Sequence, residues 1–256
     1  MIIGIAGRVG SGKSTIANYL AGCFKESLII DADKVAKEIY CADSSAREEV
    51  RACFGDCVID KDGQVDYLKL GRLVFSSQEK LCRLNDIMLF RIEAAIKEKI
   101  NKNSRKKIII IDAAVLFGTD LYKICDFIIW LNAPEKRRRE LLQLKPGTEP
   151  EEINRRIRGQ LIKKIPSRID FNVDNSGSLA ELQNKAKEII KWLFDYYIEL
   201  LTPICDKDKS QRAVCDYISG MTDRYAVEKF KENFIPSSII AKTNDDYLFK
   251  LTKIID

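Results

Sequence analysis

Ile2-Ile3-Gly4-Ile5-Ala6-Gly7-Arg8-Val9-Gly10-Ser11-Gly12-Lys13-Ser14-Thr15 is the stretch whose reading decides the fold. Ile2 to Ala6 is a short continuous apolar run, the pattern of a strand buried on both faces of a parallel sheet. Gly7 to Ser14 fits G-x-x-x-x-G-K-[ST], and residues 13–25 then carry Ile16, Leu20, Cys23 and Phe24 at helical spacing. A glycine-rich strand-to-helix turn can arise without a ligand. Strand, loop and helix in this order nevertheless point to a nucleoside triphosphate. Glycines let successive backbone N–H groups curl around phosphate oxygens, at the positive end of the helix that begins there. Lys13 is placed to reach the β- and γ-phosphates, and Ser14 to offer its hydroxyl to Mg²⁺.

Working outward, Leu28-Ile29-Ile30 reads as a second buried strand, ending in Asp31-Ala32-Asp33. Helical patterns continue to about residue 100, with Asp62-Gly63 as a break. Lys107 to Asp112 is a third strand, Phe127 to Leu131 a fourth and Phe171 to Asp174 a short fifth. Between the last two lies a basic helical stretch, 134–168, broken by Lys145-Pro146-Gly147 where a mobile lid would hinge. Leu179 to Leu201 is a long amphipathic helix. Strands alternating with helices, without a hairpin signal, predict an α/β fold on a five-stranded parallel sheet. After Pro203 the character changes to a polar link and then a helical stretch.

The chain has 256 residues, 46% hydrophobic and 32% charged, with net charge +5, eight Cys and no His. This is long enough for a substantial core and too apolar for a disordered chain. The absence of His excludes Ser-His-Asp and Cys-His nucleophilic sites, His-ligated metals and imidazole bases. The mild positive charge suits an anionic small molecule as well as a nucleic acid, and no nucleic-acid-binding motif accompanies it. Scattered Cys without a C-x-x-C pair read as reduced, mostly buried thiols of a cytoplasmic protein. The longest apolar stretch, Ile108 to Phe117, is interrupted by Asp112 and is about half a membrane span. No membrane segment is expected.

A triphosphate site needs a reaction. The only near match to the base-reading N-K-x-D of GTPases is Asn101-Lys102-Asn103-Ser104, which lacks the Asp. A small-molecule kinase needs a carboxylate close to the γ-phosphate. Asp31 and Asp33 follow the second strand, on the sheet edge where ligands of open α/β sheets bind. Either could instead cap the helix that starts there. Asp112 ends the third strand and could hold Mg²⁺ or cap the strand end. Arg137, Arg138, Arg139, Lys145, Arg155, Arg156 and Arg158 read mostly as a solvated basic face, with one or two closing over the phosphates.

Gly10 to Thr15, Ile30-Asp-Ala-Asp33, Phe54-Gly55, Asp62-Gly63 and Leu84-Asn85 together resemble the dephospho-coenzyme A kinase family. So do Asn132-Ala-Pro-Glu135, Arg156-Ile-Arg-Gly-Gln160 and Asp170-Phe-Asn-Val-Asp-Asn-Ser-Gly177. The resemblance covers roughly residues 1–200. It implies a P-loop kinase domain over 1–202, with an acceptor-binding helical insertion at about 40–100 and a lid at 134–168. It further implies that ATP and Mg²⁺ serve to phosphorylate the ribose 3′-hydroxyl of dephospho-coenzyme A. In that reading Asp33 is the catalytic carboxylate, assisted by Lys13 and the lid cation Arg139. Gly10, Ser11, Gly12, Lys13, Ser14 and Thr15 hold the phosphates, Asn175 lies near the adenine, and Ser14 with Asp112 holds the metal. The family's His-Pro pair is Leu89-Phe90 here, its Pro-Leu-Leu-Phe-Glu is Ala114-Val-Leu-Phe-Gly118, a usual Gly is Arg8, and Lys145 replaces a lid Arg. A nucleoside or nucleotide kinase, or an ATP-binding module with a decayed acceptor site, are the alternatives. Val214 to Tyr225 is similar to a C-terminal helix of HD-class deoxynucleoside triphosphate triphosphohydrolases, whose His-built metal site this chain lacks. Residues 203–256 are thus expected to be a helical C-terminal extension, a docking helix or a surface for self-association.

Overall fold

The computed structural model describes residues 1–24, 26–144, 149–159 and 167–201. In chain order the elements are β1 (Ile2–Gly7), α1 (Lys13–Cys23), β2 (Ser27–Asp31), α2 (Ala32–Ala42), α3 (Ser44–Phe54), α4 (Tyr67–Val74) and α5 (Gln78–Lys102). They continue with β3 (Ile108–Asp112), α6 (Leu121–Ile124), β4 (Phe127–Asn132), α7 (Glu135–Gln143), α8 (Pro150–Arg158), β5 (Phe171–Asp174) and α9 (Leu179–Leu201). The five strands form one sheet in the order β2-β3-β1-β4-β5, and every pairing is parallel. The expected strands are therefore all present, and the α/β class holds.

The alternation of side chains explains why these strands look uniformly apolar. Ile108 and Ile110 of β3 enter one core with Ile3 and Ile5, while Ile109 and Ile111 enter the opposite core. In β4, Phe127, Ile129 and Leu131 belong to the first core, and Ile128 and Trp130 to the second. Successive residues of a strand point to opposite faces, so a sheet covered on both sides needs apolar residues at every position. On the first face α1 supplies Ile16, Ala17 and Leu20, and α9 supplies Leu182, Ala186, Ile189 and Leu193. The second face is covered by the helices between β2 and β3, through Val35, Val50, Leu70, Met88, Ile92 and Ile96.

Those connecting helices are separated by side-chain caps. The Asp31, Asp43, Asp66 and Ser77 side chains each accept from first-turn amides, of α2, α3, α4 and α5 respectively. Such oxygens satisfy donors that a helix start leaves open. Helix α1 differs: its N-cap is Gly12, and no side chain caps it.

Two expectations change. Asp62-Gly63 is not only a break, because Ile59 and Val65 form an antiparallel bridge around it and Asp60 N donates to Gln64 O at 2.8 Å. Asp-Gly between apolar residues is a hairpin signal, and Gly63 has the required positive φ of 73°. The thiols are not mostly buried: Cys23, Cys41, Cys57 and Cys82 are exposed and only Cys125 is buried among the described residues. Finally, the Lys145-Pro146-Gly147 hinge, Gln160 and the extension at 203–256, with its triphosphohydrolase-like stretch, lie outside the described residues. Among the described residues no helix is long and apolar enough to cross a membrane.

Candidate active site

The loop from Gly7 to Lys13 sits between the end of β1 and the uncapped start of α1, so its amides face a common space with the α1 terminus. Two of its glycines are required. Gly10 has φ 76°, and a Cβ there would lie 2.7 Å from the Arg138 carbonyl oxygen. Gly12 has φ 97°, and its Cβ would lie 2.5 Å from Asn175 Nδ2. Both positions combine a left-handed backbone with a neighbour too close for any side chain. Lys13 Nζ donates to the carbonyls of Gly7 (3.2 Å) and Arg8 (3.3 Å), which holds the ammonium over the loop.

Ser14 Oγ donates to Asp112 Oδ2 at 2.6 Å, joining the first turn of α1 to the end of β3. Asp112 is buried, at 6% exposure. Burial pushes its carboxyl above the usual range, opposed by the Ser14 hydrogen bond and the Lys13 charge, and Asp31 and Asp33 add repulsion. A buried carboxylate that retains a hydroxyl partner and two acidic neighbours suits a hard cation. Among the described residues no group of three or more acidic or thiol side chains could cage a metal. Mg²⁺ commonly binds through one or two side chains, with waters and phosphate oxygens completing the shell, so the Ser14–Asp112 oxygens fit it.

The two aspartates after β2 have separate tasks. Asp31 Oδ1 accepts from Asp33 N (2.9 Å) and Lys34 N (3.2 Å) and is the α2 cap. Asp33, in the first turn of α2, is exposed. Its charge is felt at Asp112, which places both carboxylates on the phosphate edge of the sheet. Of the two roles left open by the sequence, capping thus falls to Asp31.

The loop is gripped from both sides. Val9 packs against a small apolar cluster of Leu142, Ile153 and Ile157, contributed by α7 and α8. On the other side Asn175, buried after β5, donates from Nδ2 to Ser11 O at 2.8 Å, while its own N–H donates to Asn132 O at 2.7 Å. Asn175 therefore stands directly under the phosphate loop.

The basic stretch divides as well. Arg139 is bound to Glu135 at 2.7 Å and to Asn154, tying α7 to α8. Arg137 pairs with Glu140 and Arg155 with Glu151, each along its own helix. Arg138 is different: it is 5% exposed, and its Nη1 approaches Val9 O at 3.5 Å. Burial and the Arg8 charge both push its guanidinium below the usual range. Of the α7 arginines, Arg138 is thus the one set against the loop, while Arg139 ties α7 to α8. Helical spacing marks this position, since Arg138 lies four residues before Leu142, the buried anchor of α7.

A family model described as dephospho-CoA kinase matches residues 1–181. The chain belongs to the dephospho-CoA kinase family. A dephospho-CoA kinase of Fusobacterium nucleatum is 34% identical over 193 residues, covering 73% of this chain and 95% of that protein. One from Aquifex aeolicus is 34% identical over 195 residues, covering 75% and 96%. A crystal structure from Thermus thermophilus superposes with a TM-score of 0.56 at 27% identity, over 75% of this chain and 97% of that one. A second model, described as a phosphohydrolase-associated domain, matches residues 170–232.

Within the dephospho-CoA kinase pattern, two departures turn out to be neighbours. Leu89 stands where the pattern has His, and Gly118 where it has Glu. A Cβ on Gly118 would lie 3.3 Å from Leu89 Cδ1. A carboxylate at 118 would face an alkyl group there. Phe90, at the Pro position, is 58% exposed, with the Arg91 guanidinium 4.4 Å from its ring.

Proposed function

We propose that this chain transfers the γ-phosphoryl group of ATP to the ribose 3′-hydroxyl of dephospho-CoA, with Asp33 as the base. The observation that carries this reading is the division between Asp31, committed to the α2 cap, and Asp33, exposed on the same edge as Lys13, Ser14 and Asp112. The acceptor oxygen bonds to the γ-phosphorus as the bond to the β–γ bridging oxygen breaks. Asp33 takes the hydroxyl proton and ADP leaves. The loop amides and Lys13 hold the phosphates in line, and Gly10, Ser11, Gly12, Ser14 and Thr15 form that cradle. Ser14 and Asp112 would hold Mg²⁺, which would supply charge neutralisation on the phosphate oxygens. Arg138, assisted by Arg139 across the α7–α8 pair, covers the transferring group. Asn175 fixes the loop from below and borders the adenine side.

In this reading residues 1–202 are the catalytic unit, with acceptor helices at about 40–100 and the lid at 134–168. Residues 203–256 serve docking or self-association. The protein works in the cytoplasm on a small molecule, without nucleic acid. ADP release should depend on added dephospho-CoA. Asp33→Ala should lower kcat by about 10²- to 10⁴-fold, the usual range for a general base. Asp31→Ala should instead cost about 0.5–2 kcal/mol of stability, as for a lost helix cap. Turnover unchanged by Asp33→Ala would overturn the assignment. The paired Leu89 and Gly118 departures favour one second reading, a nucleoside or nucleotide kinase using the same carboxylate, and a panel of acceptors with labelled ATP separates the two.

A further inference from the structure

Among the described residues strand β2 is an edge strand, paired only with β3, so backbone groups on its outer side have no strand partner. Along that edge runs a cavity of about 320 Å³, near the lower limit for small-molecule sites. At one end it meets Ser14, Asp112 and Asp31, the residues of the phosphate edge. Leu28, Ile29 and Ile30 of β2 line it, together with Lys99 of α5 and Asn103 just after that helix. Asn18 of α1 and Glu38 of α2 face it from the two sides of the sheet, and Glu38 is itself paired with Lys99 at 2.8 Å. It is thus a slot along the outer edge of β2 that reaches the Ser14–Asp112 pair.

We infer that this slot receives the pantetheine arm of the acceptor, laid along β2 as an added strand would lie. The inference rests on the proposed acceptor and specifies how its non-reacting half is bound. Dephospho-CoA carries, beyond its diphosphate, a linear arm with two secondary amides and a terminal thiol. An amide chain is matched by an open strand edge, whose N–H and C=O groups alternate along the wall. Four residues of strand span about 13 Å, so both amides can engage the edge between Asp31 and Leu28. No covalent step is involved. The arm supplies binding energy remote from the 3′-hydroxyl, which anchors the ribose at Asp33. Lys34, at the mouth of the slot, is placed to meet the diphosphate from which the arm departs.

The test compares two acceptors on the full chain with Mg-ATP: dephospho-CoA, and an adenosine 5′-diphosphate alkyl ester that has the same ribose but no arm. Asn18 is exposed on α1, so Asn18→Trp fills the slot without touching the core. Asn18→Trp should raise KM for dephospho-CoA by about ten-fold or more, the loss expected for two amide hydrogen bonds, while KM for ATP and for the ester stays within about two-fold. On the unaltered protein, N-methylation of either amide of dephospho-CoA should raise KM in the same way. That arm needs no variant to fold. Equal effects of Asn18→Trp on both acceptors, or N-methylated substrates used as well as the parent, overturn the inference. A dimer that Asn18→Trp converts to monomer, with KM unchanged, overturns it in favour of edge-to-edge self-association. If the unaltered protein does not phosphorylate dephospho-CoA at all, the proposed acceptor fails, and the slot assignment falls with it.

Discussion

The grip of Asn175 on the phosphate loop can be measured by pairing two substitutions that should not add. Gly12→Ala places a side chain at φ 97°, a left-handed backbone that costs an L-residue about 1–2 kcal/mol. Its Cβ would also sit 2.5 Å from Asn175 Nδ2, so the amide must retreat from Ser11 O, to which it donates at 2.8 Å. Leaving that buried carbonyl without a donor costs about 1–3 kcal/mol. Gly12→Ala alone should therefore destabilise by about 2–5 kcal/mol. Asn175→Ala alone loses the same hydrogen bond, about 1–3 kcal/mol. In the double variant the collision is gone and the bond is lost only once. The pair should then fall short of additivity by about 1–3 kcal/mol, well beyond the ~0.5 kcal/mol scatter of independent sites. Urea unfolding of the four proteins without nucleotide gives the cycle directly. Gly63 provides the control, because its φ is 73° and a Cβ there meets nothing within 4 Å. Gly63→Ala should show the backbone cost alone and add fully to Asn175→Ala. Additivity of Gly12→Ala with Asn175→Ala would refute the claim that the two press on one another and share one hydrogen bond.

Two further expectations arise from charge. The Asp112 carboxyl titrates above its ordinary range, so the folded state holds a proton that the unfolded chain has released, and stability falls as pH rises from about 4 through that raised value. Asp112→Asn keeps an acceptor for Ser14 and removes the penalty: without nucleotide it should melt higher than the parent at pH 7 and lose that advantage at acid pH, while Mg²⁺-dependent turnover collapses. A lower melting temperature at pH 7 would contradict the burial argument. Arg138→Ala should reduce kcat by about 10²-fold or more, as for removal of one donor to developing phosphate charge, and Arg139→Ala far less. The reverse order in steady-state kinetics would show that burial against Val9 is not what selects the working cation.

The fold was readable because its determinants are local and repeated. Ile108 to Ile111 can only be a strand apolar on both faces, and the glycines at 7, 10 and 12 stand where the chain turns between strand and helix. Sites made by two distant segments were harder to read. The Asp31 and Asp33 side chains differ by two residues and share one sheet edge, and only the amide geometry of α2 assigns the cap to Asp31. Arg138 and Arg139 are adjacent in a run of three arginines, and their roles separate by about 100° of helix turn, one toward Val9 and one toward Asn154. The contact of Asn175 with Ser11 spans 164 residues, and no spacing rule reaches that far. The meeting of Leu89 with Gly118 is of the same kind: each departure is visible alone, and only the packing of α5 on the turn after β3 shows that they form a pair.

The end of the kinase pattern and the end of the kinase core do not coincide, and the difference bears on the role of the chain beyond residue 201. The dephospho-CoA kinase model stops at residue 181, two residues after α9 begins. Yet Leu182, Ala186, Ile189 and Leu193 are buried in the same core as Ile16, Ala17 and Leu20 of α1. Each buried Leu or Ile is worth about 1.5–3 kcal/mol relative to exposure, so α9 contributes heavily to holding α1 in place. Helix α1 begins at Lys13 and Ser14, the residues proposed to meet the phosphates. The phosphohydrolase-associated match at 170–232 thus starts inside the kinase core and takes in β5, Asn175 and all of α9. Phe171 and Trp192, 4.9 Å apart edge to face, join β5 to α9 within that shared stretch. Helix α9 therefore belongs to the core that seats α1, whose first turn carries Lys13 and Ser14, and removing its buried side chains should loosen that seat.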